Sequence, residues 1–162
     1  MKINSLSSIM PPFLSNKDKI EIVASAKFVI KKDIVSAVNI IKSHGFDVSF
    51  NQQLFNKKDV FAGTKQDRIN NIQRVLDDND TKAVFFARGG YGSIQIIDKI
   101  NFDSFKKRPK WLVGFSDITI FLMHIYENYR INSIHGPMPY NFKSTKQSDL
   151  LVLFDALRGK FS

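Results

Sequence analysis

Ala83-Val84-Phe85-Phe86-Ala87 runs directly into Arg88-Gly89-Gly90-Tyr91-Gly92-Ser93. The first five residues are an unbroken apolar run, the pattern of a central strand buried on both faces. Upstream, Thr64-Lys65-Gln66-Asp67 has the form of a capping box, opening a helix with Ile69, Ile72, Val75 and Leu76 on one face. Before it, Phe46-Asp47-Val48-Ser49-Phe50 alternates as a strand does, preceded by helical spacing at Ile34, Val35, Val38 and Ile41 with a stop at His44-Gly45. Lys19-Ile20-Glu21-Ile22-Val23-Ala24 is short and β-branched, the mark of a first strand.

Downstream the alternation continues. A short helix is expected around Ile94, Ile97 and Ile100, then a strand at Trp111-Leu112-Val113-Gly114 and a helix carrying Ile118, Phe121, Leu122 and Ile125. Ile131 to Ile134 reads as a fifth strand ended by Gly136-Pro137, and Leu150, Leu151, Phe154 and Leu157 as a last helix stopped at Gly159. Regular strand–helix alternation predicts an α/β domain with a mainly parallel sheet.

The chain has 162 residues and a mass of 18.6 kDa, room for one domain. Apolar residues at 43% and charged residues at 24% exclude a disordered or collagenous chain. No apolar run approaches the ~18 residues that span a bilayer. The absence of cysteine removes disulfides, thiolate metal sites and cysteine nucleophiles. His44, His124 and His135 are too dispersed for a local metal motif, so neither a metal nor another cofactor is expected. Met1 to Pro12 lacks the apolar core of a signal peptide, and a cytoplasmic location is expected. Lys and Arg exceed Asp and Glu by 24 to 15, net +9, which raises nucleic-acid binding as an outside reading. The basic residues are scattered, however, and no aromatic–basic motif accompanies them. The densest run, Lys106-Lys107-Arg108-Pro109-Lys110, reads as a solvated loop before a strand.

Ligands of open parallel sheets bind at the carboxyl ends of strands. Two such ends carry unusual residues: the Arg88–Ser93 loop, and Gly114-Phe115-Ser116-Asp117, which opens a helix. A serine on a tight strand-to-helix turn is pushed out of the sheet, with the next backbone N–H facing the same space. Gly114 supplies the small residue such an elbow needs, while Ile118 stands where a second glycine is usual. The alternative is an ordinary helix cap by Ser116 or Asp117. Gly89 and Gly90 allow close backbone approach, and one of their amides together with that of Asp117 would form an oxyanion hole. The loop lacks the Gly-Lys-Ser/Thr ending of a phosphate-binding loop.

Taken in order, these segments resemble the LD-carboxypeptidase family of serine peptidases, which includes muramoyltetrapeptide carboxypeptidases and the microcin C immunity proteins. The resemblance runs through Pro11-Pro12 with Lys17-Asp18-Lys19-Ile20, Ala62-Gly63-Thr64 with Arg68, Ala87-Arg88-Gly89-Gly90-Tyr91-Gly92, Gly114-Phe115-Ser116-Asp117-Ile118-Thr119 and His135-Gly136-Pro137-Met138. It implies a flavodoxin-like three-layer sandwich over residues 11–162, with residues 1–10 as an N-terminal extension. It also implies Ser116 as nucleophile, Asp117 with Gly89 and Gly90 as oxyanion hole, and release of D-alanine from murein tetrapeptides without a metal. The resemblance places the family's triad partners, a glutamate and a histidine, in a C-terminal domain that is expected to be absent here. Two departures stand out: Ala24-Ser25-Ala26 replaces Ala-Pro-Ser, so a polar contact is expected to be lost, and Asn16 replaces a glycine.

Arg88 is a candidate for binding a substrate carboxylate and Tyr91 for lining the cleft; both are otherwise loop-bracing residues. No histidine is placed to activate Ser116, so the chain alone is expected to be close to inactive. The surface around Ser116, Tyr91 and Met138 should be open and partly apolar, favouring association, with a homodimer one outcome. Three functions remain: the nucleophile half of a carboxypeptidase whose partner is a murein peptide or peptide-like small molecule, a catalytically silent remnant or binding module with the same fold, and a basic nucleic-acid binder.

Overall fold

The computed structural model describes residues 7–161. Its sheet has five strands, all parallel, in the order β2-β1-β3-β4-β5. These are β1 (Lys19–Val23), β2 (Asp47–Ser49), β3 (Thr81–Phe86), β4 (Trp111–Gly114) and β5 (Ile134–His135). Five α-helices connect and cover them: α1 (Lys31–Ser43), α2 (Lys65–Asp77), α3 (Asp103–Lys107), α4 (Thr119–Tyr129) and α5 (Gln147–Leu157). This strand order is that of doubly wound, flavodoxin-like domains.

Period-two alternation along β3 generates the three layers. Ala83, Phe85 and Ala87 face a core built with Ile34, Ala37 and Ile41 of α1 and Leu150, Leu153, Phe154 and Leu157 of α5. Val84 and Phe86 face the other core, with Ile72, Val75 and Leu76 of α2 and Phe121, Leu122 and Ile125 of α4. β3 is therefore apolar from Ala83 onward because helices cover it on both sides. The Thr64–Asp67 capping box forms as expected: Thr64 Oγ1 accepts from the Asp67 amide at 3.0 Å, and Asp67 Oδ2 accepts from the Thr64 amide at 2.8 Å.

Several boundaries differ from the sequence reading. The expected helix around Ile94 is two 3-10 turns, Ser93–Gln95 and Ile97–Lys99, each closed by an i→i+3 bond. A separate helix, α3, follows them and takes in Lys106 and Lys107. Lys110 is not solvated. Its Nζ donates to the carbonyls of Val75 at 2.9 Å and Asp78 at 2.5 Å, satisfying the end of α2. β5 starts later than expected because Ile131 bridges Ile9 instead, and pairing with β4 begins at Ile134. Ile9 thus ties part of the stretch read as an extension to the domain; residues 1–6 lie outside the described residues. Asn16 is not the left-handed residue of its turn: Lys17 is, at φ 68°, while Asn16 Oδ1 accepts from Arg158 at 2.9 Å.

Candidate active site

β4 ends at Gly114, and Ser116 stands two residues beyond it, exposed and at φ +59°. A 3-10 turn over Ser116–Ile118 then leads into α4. A non-glycine residue in the left-handed region at a strand-to-helix turn is the backbone signature of a nucleophile elbow. A Cβ on Gly114 would lie 2.7 Å from Ile118 Cγ2, so only glycine fits beneath the turn. That contact also accounts for the missing second glycine: Ile118 packs over Gly114 and enters the core behind β4.

The glycine loop comes directly against this turn. A Cβ on Gly89 would lie 3.2 Å from Ser116 Cβ and 3.4 Å from its Oγ. Gly90, at φ +133°, leaves no room for a side chain, since a Cβ there would meet Lys27 Cβ at 2.9 Å. Among the described residues, the Gly89 and Gly90 amides have no hydrogen-bond acceptor. Loop and turn are bonded to each other, with Asp117 Oδ2 accepting from the Ser93 amide at 3.0 Å.

Arg68 holds the loop from below. It is 1% exposed, and its Nη1 donates to the carbonyls of Ser25 and Gly92, both at 3.0 Å, while Nη2 donates to Gln95 Oε1 at 2.9 Å. Burial pushes its pKa down and the Asp117 carboxylate opposes that shift. Sequence reasoning placed Arg68 only as part of a helix start and missed this brace. Ser25, in the place of the family's proline, makes a polar contact of its own: its Oγ lies 2.9 Å from Ser93 Oγ in the interior, while Ala26 stands where the family's serine would be.

Arg88 lies with its guanidinium 4.0 Å from the centre of the Tyr140 ring, and the Tyr140 amide donates to the Ala87 carbonyl at 3.0 Å. Tyr91 is 62% exposed and free to meet a ligand. Met138, expected at an open surface, is 3% exposed; its Cε lies 3.4 Å from the Gly89 Cβ position, so it forms the floor under the loop. None of the histidines reaches Ser116 Oγ by a hydrogen bond among the described residues. His44 stacks on Phe154, His124 lies against Phe102 and His135 against Phe115. Burial and then the Arg158 charge lower the pKa of His44. Among the described residues, no group of His, Asp and Glu side chains could hold a metal ion, and no helix is long and apolar enough to cross a membrane.

Residues 20–136 match the family description LD-carboxypeptidase N-terminal domain. A Bacillus subtilis protein named "Probable murein peptide carboxypeptidase" is 30% identical over 79% of this chain and 40% of its own length. A muramoyltetrapeptide carboxypeptidase from Oxalobacter formigenes superposes with a TM-score of 0.76 at 26% identity, over 85% of this chain and 47% of that one. The microcin C7 self-immunity protein MccF, solved with aspartyl sulfamoyl adenosine, gives a TM-score of 0.83 at 18% identity, over 92% of this chain and 47% of that one. The chain spans less than half the length of these relatives.

Proposed function

The chain belongs to the LD-carboxypeptidase family through its N-terminal domain, and from that premise we propose that it is the nucleophile-bearing half of a serine carboxypeptidase that cleaves the L,D-amide of murein tetrapeptides. The observation that carries the proposal is the exposed Ser116 at φ +59° with Gly89 packed against its Oγ. Ser116 Oγ attacks the carbonyl carbon of the bond before the terminal D-alanine. The oxyanion that develops is received by the amides of Asp117 and of Gly89 or Gly90. D-Alanine leaves as the amine after protonation, and water releases the acyl group from Ser116.

Proton transfer requires a base, and that base requires an orienting carboxylate. In this reading both come from the C-terminal half implied by the family resemblance, outside these 162 residues. Arg88 and Tyr91, both within the loop, serve as substrate contacts, Arg88 for a carboxylate and Tyr91 for the cleft wall. A murein peptide is favoured over an aminoacyl–nucleotide conjugate because the relatives at 26% and 30% identity carry murein names.

The test measures D-alanine release from an L,D-tetrapeptide. The proteins compared are the 162-residue chain, a chimera joining it to the C-terminal half of the Bacillus subtilis relative, and the Ser116→Ala form of each. The chain alone should be near background, and the chimera should show serine-dependent turnover. Serine-dependent turnover by the chain alone in the ~1–10³ s⁻¹ range usual for enzymes would overturn the incomplete-site reading.

A further inference from the structure

We propose that the cavity at the amino ends of β1, β3 and β4 binds a small phosphate monoester with an apolar organic part. The cavity lies at the end of the sheet opposite Ser116 and has a volume of about 380 Å³, within the size range of small-molecule sites. Its walls include Lys82, Lys107, Arg108 and Lys110, with Phe13 and Pro109 as apolar surface.

Two carboxylates also line it, and both are engaged. Asp78 Oδ2 accepts from Lys19 Nζ at 2.6 Å and from Thr81 Oγ1 at 2.7 Å, while Asp18 Oδ2 accepts from the Ser15 amide at 2.8 Å. Lys82, Lys107 and Arg108 are exposed and have no carboxylate partner among the described residues. Lys110 is 4% exposed and anchored to two carbonyls, which leaves its third N–H unassigned. Burial lowers its pKa to about 8; the Asp78 and Asp77 carboxylates oppose the shift, and Arg108 and Lys82 add to it. Four cationic side chains thus line this space against two carboxylates that are already engaged, a balance that favours a bound dianion.

The ligand class follows from that balance. A single carboxylate would leave the cluster strongly cationic, whereas a phosphate monoester is a dianion with three acceptor oxygens for several donors, including a guanidinium fork. Phe13 and Pro109 give the organic part an apolar contact that inorganic phosphate cannot use. A recess of this size suits one small molecule better than a nucleic-acid strand, which needs an extended groove.

Phenyl phosphate, inorganic phosphate, benzoate and an oligothymidylate are titrated into the 162-residue chain, followed by amide chemical shifts and calorimetry. Phenyl phosphate should bind saturably and more tightly than the other two, with shifts centred on residues 82 and 107–110. Lys107→Gln/Arg108→Gln, at two exposed positions, should weaken it by about tenfold or more, since charge-assisted bonds are the strong ones, while Ser116→Ala should leave it unchanged. The proposal is overturned by non-saturating binding, by equal affinity in the double variant, by shifts centred on Ser116, or by preferential binding of an oligothymidylate.

Discussion

Ser116 holds a conformation that costs an L-residue roughly 1–2 kcal/mol, and it does so at an exposed position where its side chain makes no compensating packing contact within the core. The surrounding turn imposes it: Phe115 is extended, Ile118 is locked over Gly114, and the 3-10 turn must start between them. Relief of that strain separates stability from function. Ser116→Gly should stabilise the fold by about 1 kcal/mol relative to Ser116→Ala, because glycine adopts the left-handed region freely. Both variants abolish serine-dependent activity in the chimera. Urea denaturation of the pair decides it, and equal midpoints would show that the turn carries no strain. The serine and its glycine neighbours were legible in the sequence because the elbow is a local pattern of small residues at a strand end. The reason for Ile118 was not, since it depends on a contact between Gly114 and a side chain that only the folded turn brings together.

The glycine loop shows the same contrast between local and long-range information. Its strand, β3, could be read directly, because burial on two faces produces an unbroken apolar run bounded by turn residues. The device that fixes the loop could not be read, because Arg68 reaches carbonyls 43 and 24 residues away in sequence and leaves no spacing pattern. β5 was displaced for a related reason: it is two residues long, and its partner choice turns on Ile131 pairing with Ile9. The brace makes a definite prediction. A Cβ on Gly92 would lie 2.4 Å from Arg68 Nη1, at a φ of +141° that side chains rarely adopt. Gly92→Ala should cost about 2–4 kcal/mol, combining backbone strain with displacement of a buried, hydrogen-bonded cation. Arg68→Lys, which keeps the charge but cannot supply the fork, should destabilise by about 2–3 kcal/mol. In both variants hydrogen exchange should rise at residues 89–93 before it rises in β3. Uniform loosening of the sheet would instead assign Arg68 to the core rather than to the loop.

Across the whole molecule, α1 and α5 share one face of the sheet, and His44 sits at their junction. Its ring stacks on Phe154 with centroids 4.1 Å apart, and its carbonyl accepts from Arg158 Nη2 at 2.5 Å. Burial and then the Arg158 charge lower its pKa from the ordinary value of 6.5, with Asp155 opposing. The folded protein therefore takes up this proton only at a lower pH than the unfolded chain does. Between those two values unfolding binds a proton, so stability falls as pH drops through the interval below 6.5 and is fully retained above it. The carboxylates with lowered pKa, Asp67, Asp78 and Asp103, have the same sign but act at more acidic pH, near and below their ordinary value of 3.8. Below pH 7, where Lys110 is protonated in both states, denaturation midpoints should therefore decline in two stages, the first below pH 6.5 and the second below about pH 4. His44→Phe keeps an aromatic ring against Phe154 and removes the titration, so it should flatten the first stage and leave the second in place. A first stage that persists undiminished in His44→Phe would assign the proton uptake to another group and remove the α1–α5 junction as the seat of this pH dependence.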